Sequence, residues 1–198
     1  MELEEVRDKL SKNQYNYFLQ LKEQIDLPLY FFGSITRCDY IKDKSDLDIE
    51  VFTDNIDSTI LKMEYLLDYY QRKTKRNFII FEINNRPISG YKYYFKHQKR
   101  DISFDFTIYN KSCQNIILHH RIIEKNIPYL LGVFLIMIKI LYYHLNIITN
   151  NTYSYIKKYF WKLYNPEKSI SSTLSEVEYI KYYNIQPNKE FLIKVKNK

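Results

Sequence analysis

The chain has 198 residues, 45% of them hydrophobic and 27% charged, and a net charge of +7. That composition excludes a disordered or low-complexity chain and leaves room for one sizeable core or two small ones. Two cysteines, Cys38 and Cys113, exclude a disulfide framework, and the acidic opening Met1-Glu2-Leu3-Glu4-Glu5 is expected to be helical and not a secretory signal. The expected compartment is therefore reducing and cytoplasmic. The sequence holds 21 tyrosines, three glycines and no alanine. Such a bias matches an AT-rich coding sequence, as in a large DNA virus. The positive charge suits a polyanionic partner, either nucleotide or nucleic acid.

Taken in chain order, apolar residues at helical spacing (Leu3, Val6, Leu10, Tyr17, Phe18, Leu21, Ile25) predict a helix over 3–25. A short strand follows Pro28, from Leu29 to Phe32, and a second runs from Asp46 to Thr53. Capping chemistry at Asp54–Ser58 opens a helix that runs to about Arg72. Three strands are predicted next: Asn77–Ile83, Ile88–Lys96 and Arg100–Tyr109. From Ser112 the period turns helical. Pro128 starts an apolar helix through Tyr129–Ile148, and Thr152–Leu163 supplies another. The order predicts an α+β fold, with a mixed-sheet catalytic lobe over 1–110 and a helical lobe over 111–165. Residues 166–198 read as a loop and basic tail.

The segment Tyr129–Ile148 is about one bilayer span long. Lys139 and His144 interrupt it, and a cation deep in a span is costly. A buried helix and no membrane partner is the expectation. The adjacent pair His119-His120 reads as surface rather than metal site, because neighbours on a helix face different ways.

The most specific chemistry lies between residues 29 and 52. An apolar strand runs into Gly33-Ser34. After an intervening loop the second strand opens Asp46-Leu47-Asp48-Ile49-Glu50. Residues two apart in a strand share a face, with Cα atoms roughly 6–7 Å apart. Asp46 and Asp48 can therefore address one spot with oxygen ligands suited to a divalent cation and a phosphate chain. Glycine at position 33 allows close approach of backbone to such a ligand. The bland alternative is a solvated edge strand that happens to carry Asp46, Asp48 and Glu50. A third carboxylate comes from the strand Arg100–Tyr109, whose alternation puts Asp101 and Asp105 on one face. Asp105, mid-strand between Phe104 and Phe106, is the favoured candidate; Asp101, next to a turn, is the other.

The pattern of apolar strand, Gly-Ser, loop and Asp-x-Asp resembles the signature of the DNA polymerase β-like nucleotidyltransferase superfamily. The resemblance covers Leu29 to Phe52. It implies transfer of a nucleoside monophosphate from an NTP to a hydroxyl, with two Mg²⁺ or Mn²⁺ ions held by Asp46, Asp48 and Asp105. Gly33, Ser34 and the nearby Arg37 are then expected at the phosphates. The helical lobe carries a second resemblance, to poly(A) polymerases and terminal uridylyltransferases. In these a helix lysine binds phosphate, and a later Ser-Tyr pair begins a helix that stacks on the base. Lys139 and Ser154-Tyr155 match those positions, without the tryptophan usual near the lysine. The basic charge and the helical lobe favour an RNA 3′ end as the acceptor. AMP transfer to a protein or small molecule is the alternative, and a non-catalytic binding module is the third reading.

Overall fold

The computed structural model describes residues 1–70, 76–83, 86–97, 102–164 and 172–174. The fold is α+β: a six-stranded mixed sheet followed by a helical lobe. The strands are β1 (Tyr30–Phe32), β2 (Leu47–Thr53), β3 (Arg76–Ile83), β4 (Arg86–His97), β5 (Ile102–Asn110) and β6 (Ser172–Leu174). The helices are α1 (Lys12–Ile25), α2 (Ile56–Tyr70), α3 (Gln114–Lys125), α4 (Tyr129–Tyr143) and α5 (Asn150–Tyr164). In space the strands run β1-β2-β5-β4-β3-β6, with β2 and β5 parallel and every other pair antiparallel.

One sheet face is the main core. Leu47, Ile49 and Val51 of β2 and Phe104, Phe106 and Ile108 of β5 meet Tyr17, Phe18 and Leu21 of α1 and Ile60 and Met63 of α2. Phe18 sets its ring edge-on to Phe31 and Phe104, with centroids 5.3 Å away in each case. These are the alternate residues of each strand, so the intervening ones must face the other way. On that second face α3 covers one end only: Ile117 packs with Phe52 and Tyr109. Nearer the beginnings of β2 and β5, Asp46 is exposed and Asp48 and Asp105 are half-buried.

Three local differences from the sequence reading have physical causes. The expected helix over 3–25 is split into a 3₁₀ turn (Glu4–Lys9) and α1. Ser11 caps α1 by accepting from the Gln14 N–H, while the Gln14 side chain accepts from the Ser11 N–H. This reciprocal cap restarts the helix. The apolar helix ends at Tyr143, short of Ile148, because Asn146 takes a left-handed conformation (φ 51°). It is also less buried than expected. Gly132, Leu135, Ile138 and Lys139 face inward, whereas Leu130 is 82% exposed and Met137 51%. Among the described residues no single helix is long and apolar enough to cross a membrane, and α3 and α4 meet at a bend of 82°. Within the segment read as loop and tail, Ser172–Leu174 adds an edge strand beside β3.

Candidate active site

The site is built where β1 ends and β2 and β5 begin. Phe32, the last residue of β1, lies opposite Asp48 in the antiparallel register. The chain then turns at Gly33, with φ +72°, into a short 3₁₀ turn over Gly33–Thr36. The Thr36 hydroxyl donates to the Gly33 carbonyl at 2.9 Å and closes the turn. A Cβ on Gly33 would sit 2.3 Å from Asp48 Oδ2. The left-handed backbone conformation therefore favours glycine, and the Asp48 carboxylate would have to shift to admit a side chain.

Asp48 faces Asp105 directly in the parallel register of β2 and β5. Neighbouring strands lie about 4.8 Å apart, so the two carboxylates share one small volume. Asp46, one alternation earlier, is exposed at the mouth; Asp48 is half-buried. Crowding by protein, followed by the Asp105 charge, pushes the Asp48 carboxyl up from 3.8 to about 6. The same two causes raise Asp46. Among the described residues no hydrogen bond or ion pair reaches the carboxylate of Asp46 or Asp48. Asp105 is ion-paired with Lys92 of β4, which shares its sheet face. Asp101 lies outside the described residues.

Glu50 shows how position along β2 decides the fate of a carboxylate. It shares the face of Asp46 and Asp48 but is fully buried beneath α3. Arg121 of α3 donates to it through Nε at 3.2 and 3.3 Å, adds a closer contact through Nη2, and lies 4.0 Å over the Phe32 ring. Glu124 takes the remaining Arg121 nitrogen. This is a closed structural ion pair. It also removes the solvated-edge alternative, because β2 lies between β1 and β5.

The residues expected to hold phosphate are placed differently from one another. Ser34 is buried in the turn beside Gly33. Arg37 makes a fork with Asp39, at 2.7 and 3.1 Å, with both side chains buried. Lys139 joins the same group: its ammonium donates to the Asp39 carbonyl at 2.6 Å and to Ser45 Oγ at 3.2 Å, and lies 3.0 Å from Asp39 Oδ2. Burial alone would raise Asp39, but Arg37 and Lys139 hold its carboxyl below the ordinary range. Burial draws the Lys139 ammonium down, against the pull of Asp39. Lys139 thus ties α4 to the loop that leads into Asp46. The Sγ of Cys38, in that loop, lies where a Cβ on Gly132 of α4 would approach it at 2.6 Å.

On α5, Ser154 is half-buried and Tyr155 is 72% exposed, pointing away from the packed face that carries Tyr153. Tyr153 is buried and stacks on Tyr142 with centroids 4.6 Å apart and planes 7° from parallel. Burial, then the Asp46 charge, pushes the Tyr143 phenol up to about 12. Lys157, one turn beyond Tyr153 and 5.9 Å over its ring, opposes the rise at Asp46 and Asp48. Tyr94 of β4 lies opposite Asp105 and is 52% exposed at the mouth.

Sequence reasoning missed Lys92, Tyr94, Tyr153 and Lys157. Period-2 alternation marks Lys92 and Tyr94 as one face of β4, but only the β4–β5 register puts that face beside Asp105. His120 also departs from the surface reading. It is buried, 3.8 Å from Glu124, while His119 is exposed. Both cysteines are free.

Among the described residues no three His, Cys, Asp or Glu side chains converge as a ready-made set of metal ligands. The donor chemistry nevertheless fits hard divalent cations. Two oxygen donors lie side by side, a third stands at the mouth, and an ammonium already lies against Asp105. Comparison of the chain with protein-family models, curated proteins and solved structures gives no match.

Proposed function

We propose that this protein is a metal-dependent nucleotidyltransferase of the DNA polymerase β-like type. It moves a nucleoside monophosphate from an NTP to a hydroxyl, with an RNA 3′ end as the acceptor. The observation that carries this reading is the pairing of Asp48 with Asp105 beneath the Gly33 turn, with Asp46 beside them and, among the described residues, no hydrogen bond or ion pair to the carboxylate of Asp46 or Asp48. A fold does not hold like charges together without return, and sites that perturb carboxylates this way are commonly functional.

Asp46, Asp48 and Asp105 would hold one or two Mg²⁺ or Mn²⁺ ions, which supply positive charge to the phosphates and lower the pKa of the acceptor hydroxyl. The rest falls to side chains and backbone. The bare Gly33 leaves room for the Asp48 carboxylate close to the main chain. Lys157 adds positive charge that opposes the rise at Asp46 and Asp48, and Tyr94 offers an exposed ring at the mouth on which a base can stack. Arg37 and Lys139 shape the β1–β2 loop through Asp39, so in this reading they place Asp46 and do not bind phosphate themselves.

The test is incubation with labelled NTPs, Mg²⁺ or Mn²⁺, and a panel of RNA and protein acceptors. Primer extension is expected. It should vanish in the Asp46→Ala, Asp48→Ala double variant while circular dichroism stays unchanged. Full activity in that variant rejects the reading. Binding to single-stranded RNA should also fall by about tenfold or more between 50 and 200 mM salt, as phosphate contacts require. A second reading is AMP transfer to a protein. The observation in its favour is the exposed apolar surface on α4 and α5, with Leu130 82% and Tyr155 72% exposed. Labelling of protein with no primer extension selects it.

A further inference from the structure

Among the described residues, the ammonium of Lys92 is the one group that the sheet delivers onto the candidate third carboxylate. β4 and β5 pair so that Tyr94 lies opposite Asp105 and Lys92 opposite Thr107. Lys92 is therefore one alternation along on the same face, and it reaches diagonally to Asp105 Oδ2. Its side chain is 36% exposed and that of Asp105 22%, so the contact stands at the open rim of the site. The other cations close to Asp46 and Asp48 are differently committed. Lys139 is bonded to Asp39 and Ser45, Arg121 to Glu50 and Glu124, and Lys157 lies over the Tyr153 ring.

We infer that Lys92 is an internal counter-ion for the carboxylate site, which a divalent cation must displace from Asp105 in order to bind. This rests on the nucleotidyltransferase reading above. The reasoning is electrostatic. Asp48 and Asp105 stand side by side, with Asp46 near, so an empty site carries excess negative charge. An ammonium on Asp105 relieves that charge when no ion is present. It also occupies an oxygen that a cation needs. The free protein therefore binds divalent ions weakly. An NTP that arrives with its own cation gives the displaced ammonium phosphate oxygens as new partners. Lys92 so couples ion uptake to nucleotide arrival, as a positioning residue that acts through Asp105.

The test uses the full chain and Mn²⁺, followed by electron paramagnetic resonance and calorimetry. Without nucleotide, Lys92→Met should bind Mn²⁺ about tenfold more tightly than the parent chain. Lys92→Arg, which keeps the charge, should bind as the parent does. A non-hydrolysable NTP analogue should raise Mn²⁺ affinity in the parent by more than it does in Lys92→Met. In chelator, Lys92→Met should melt at a lower temperature than the parent, and added Mn²⁺ should recover more than that difference. An unchanged or weaker Mn²⁺ constant in Lys92→Met overturns the inference. If Asp48→Asn abolishes Mn²⁺ binding in that same experiment, the carboxylate site stands and only the role of Lys92 falls. Absence of Mn²⁺ binding in every variant, with and without the analogue, overturns both.

Discussion

Asp48 and Asp105 lie directly opposite each other on adjacent parallel strands, and this one register pair organises the site. Each strand alone carries an ordinary alternation of polar and apolar residues. Paired, they hold two carboxylates in one volume with the Gly33 turn as its roof.

The first consequence is a pH-dependent stability. The Asp48 carboxyl rises from 3.8 to about 6 on folding, through burial and then the Asp105 charge. Between those values the folded chain binds more protons than the unfolded one, so stability falls as pH rises through that window. Above it the full cost is present. Asp48→Asn should therefore stabilise the metal-free protein at pH 7.5 by about 1–2 kcal/mol, a rise of a few degrees in melting temperature. Near pH 4 the difference should shrink towards zero. Melts in chelator across this range check it, and a gain that persists unchanged at pH 4 contradicts the assignment.

A second prediction separates the two candidates for the third carboxylate. Asp105→Asn should lower the transfer rate at least ~100-fold, since it removes a metal ligand opposite Asp48. Asp101→Asn should cost little. Single-turnover rates at saturating NTP make the comparison. The reverse order would move the third ligand to Asp101.

The third prediction concerns Gly33. Its positive φ and the 2.3 Å approach to Asp48 Oδ2 both penalise a side chain. Gly33→Ala should destabilise the protein by about 1–3 kcal/mol and weaken nucleotide binding. In an Asp48→Gly background the steric part disappears and only the backbone cost of about 1 kcal/mol remains. A double-mutant cycle by denaturant unfolding reads the difference as a coupling between the two residues. Additive effects would mean that Asp48 moves aside freely.

Lys139 supplies the fourth. Because its ammonium is bonded to Asp39 and Ser45, Lys139→Met should cost about 1–3 kcal/mol in lost charge-assisted hydrogen bonds, while Arg37 still neutralises Asp39. Pairing it with Asp39→Asn should deepen the loss, since the buried Arg37 guanidinium then loses the carboxylate it is forked to. Urea unfolding of the single and double variants checks this. A stable Lys139→Met protein whose only defect is a raised KM for NTP would return the lysine to the triphosphate.

Much of the fold was legible because its signals are local. Strand alternation in Leu47–Phe52 and Ile102–Tyr109 identifies the two core faces, and both strands form close to their expected bounds. The Ser11–Gln14 cap was equally visible in the letters, but the long apolar period around it masked the break. The α4 reading failed in part for a related reason. Apolar composition reports that a helix avoids water, not which neighbours are available to cover it. Among the described residues, one face of α4, with Gly132, Leu135, Ile138 and Lys139, is buried.

The candidate site divides along the same line. Sequence alone determined the Gly33-Ser34 turn and the common face of Asp46, Asp48 and Glu50, because a glycine requirement and a period of two are properties of a few adjacent residues. Tertiary structure decided what each carboxylate does. It joined β2 to β5 in parallel, so that Asp105 meets Asp48, and laid β4 alongside, so that Lys92 meets Asp105. It closed α3 over Glu50 and gave that residue Arg121, and it spent Lys139 on Asp39. These outcomes depend on which distant strands and helices bury one another's apolar faces. A charged side chain then takes whichever partner that burial brings within reach, and no local pattern specifies the partner in advance.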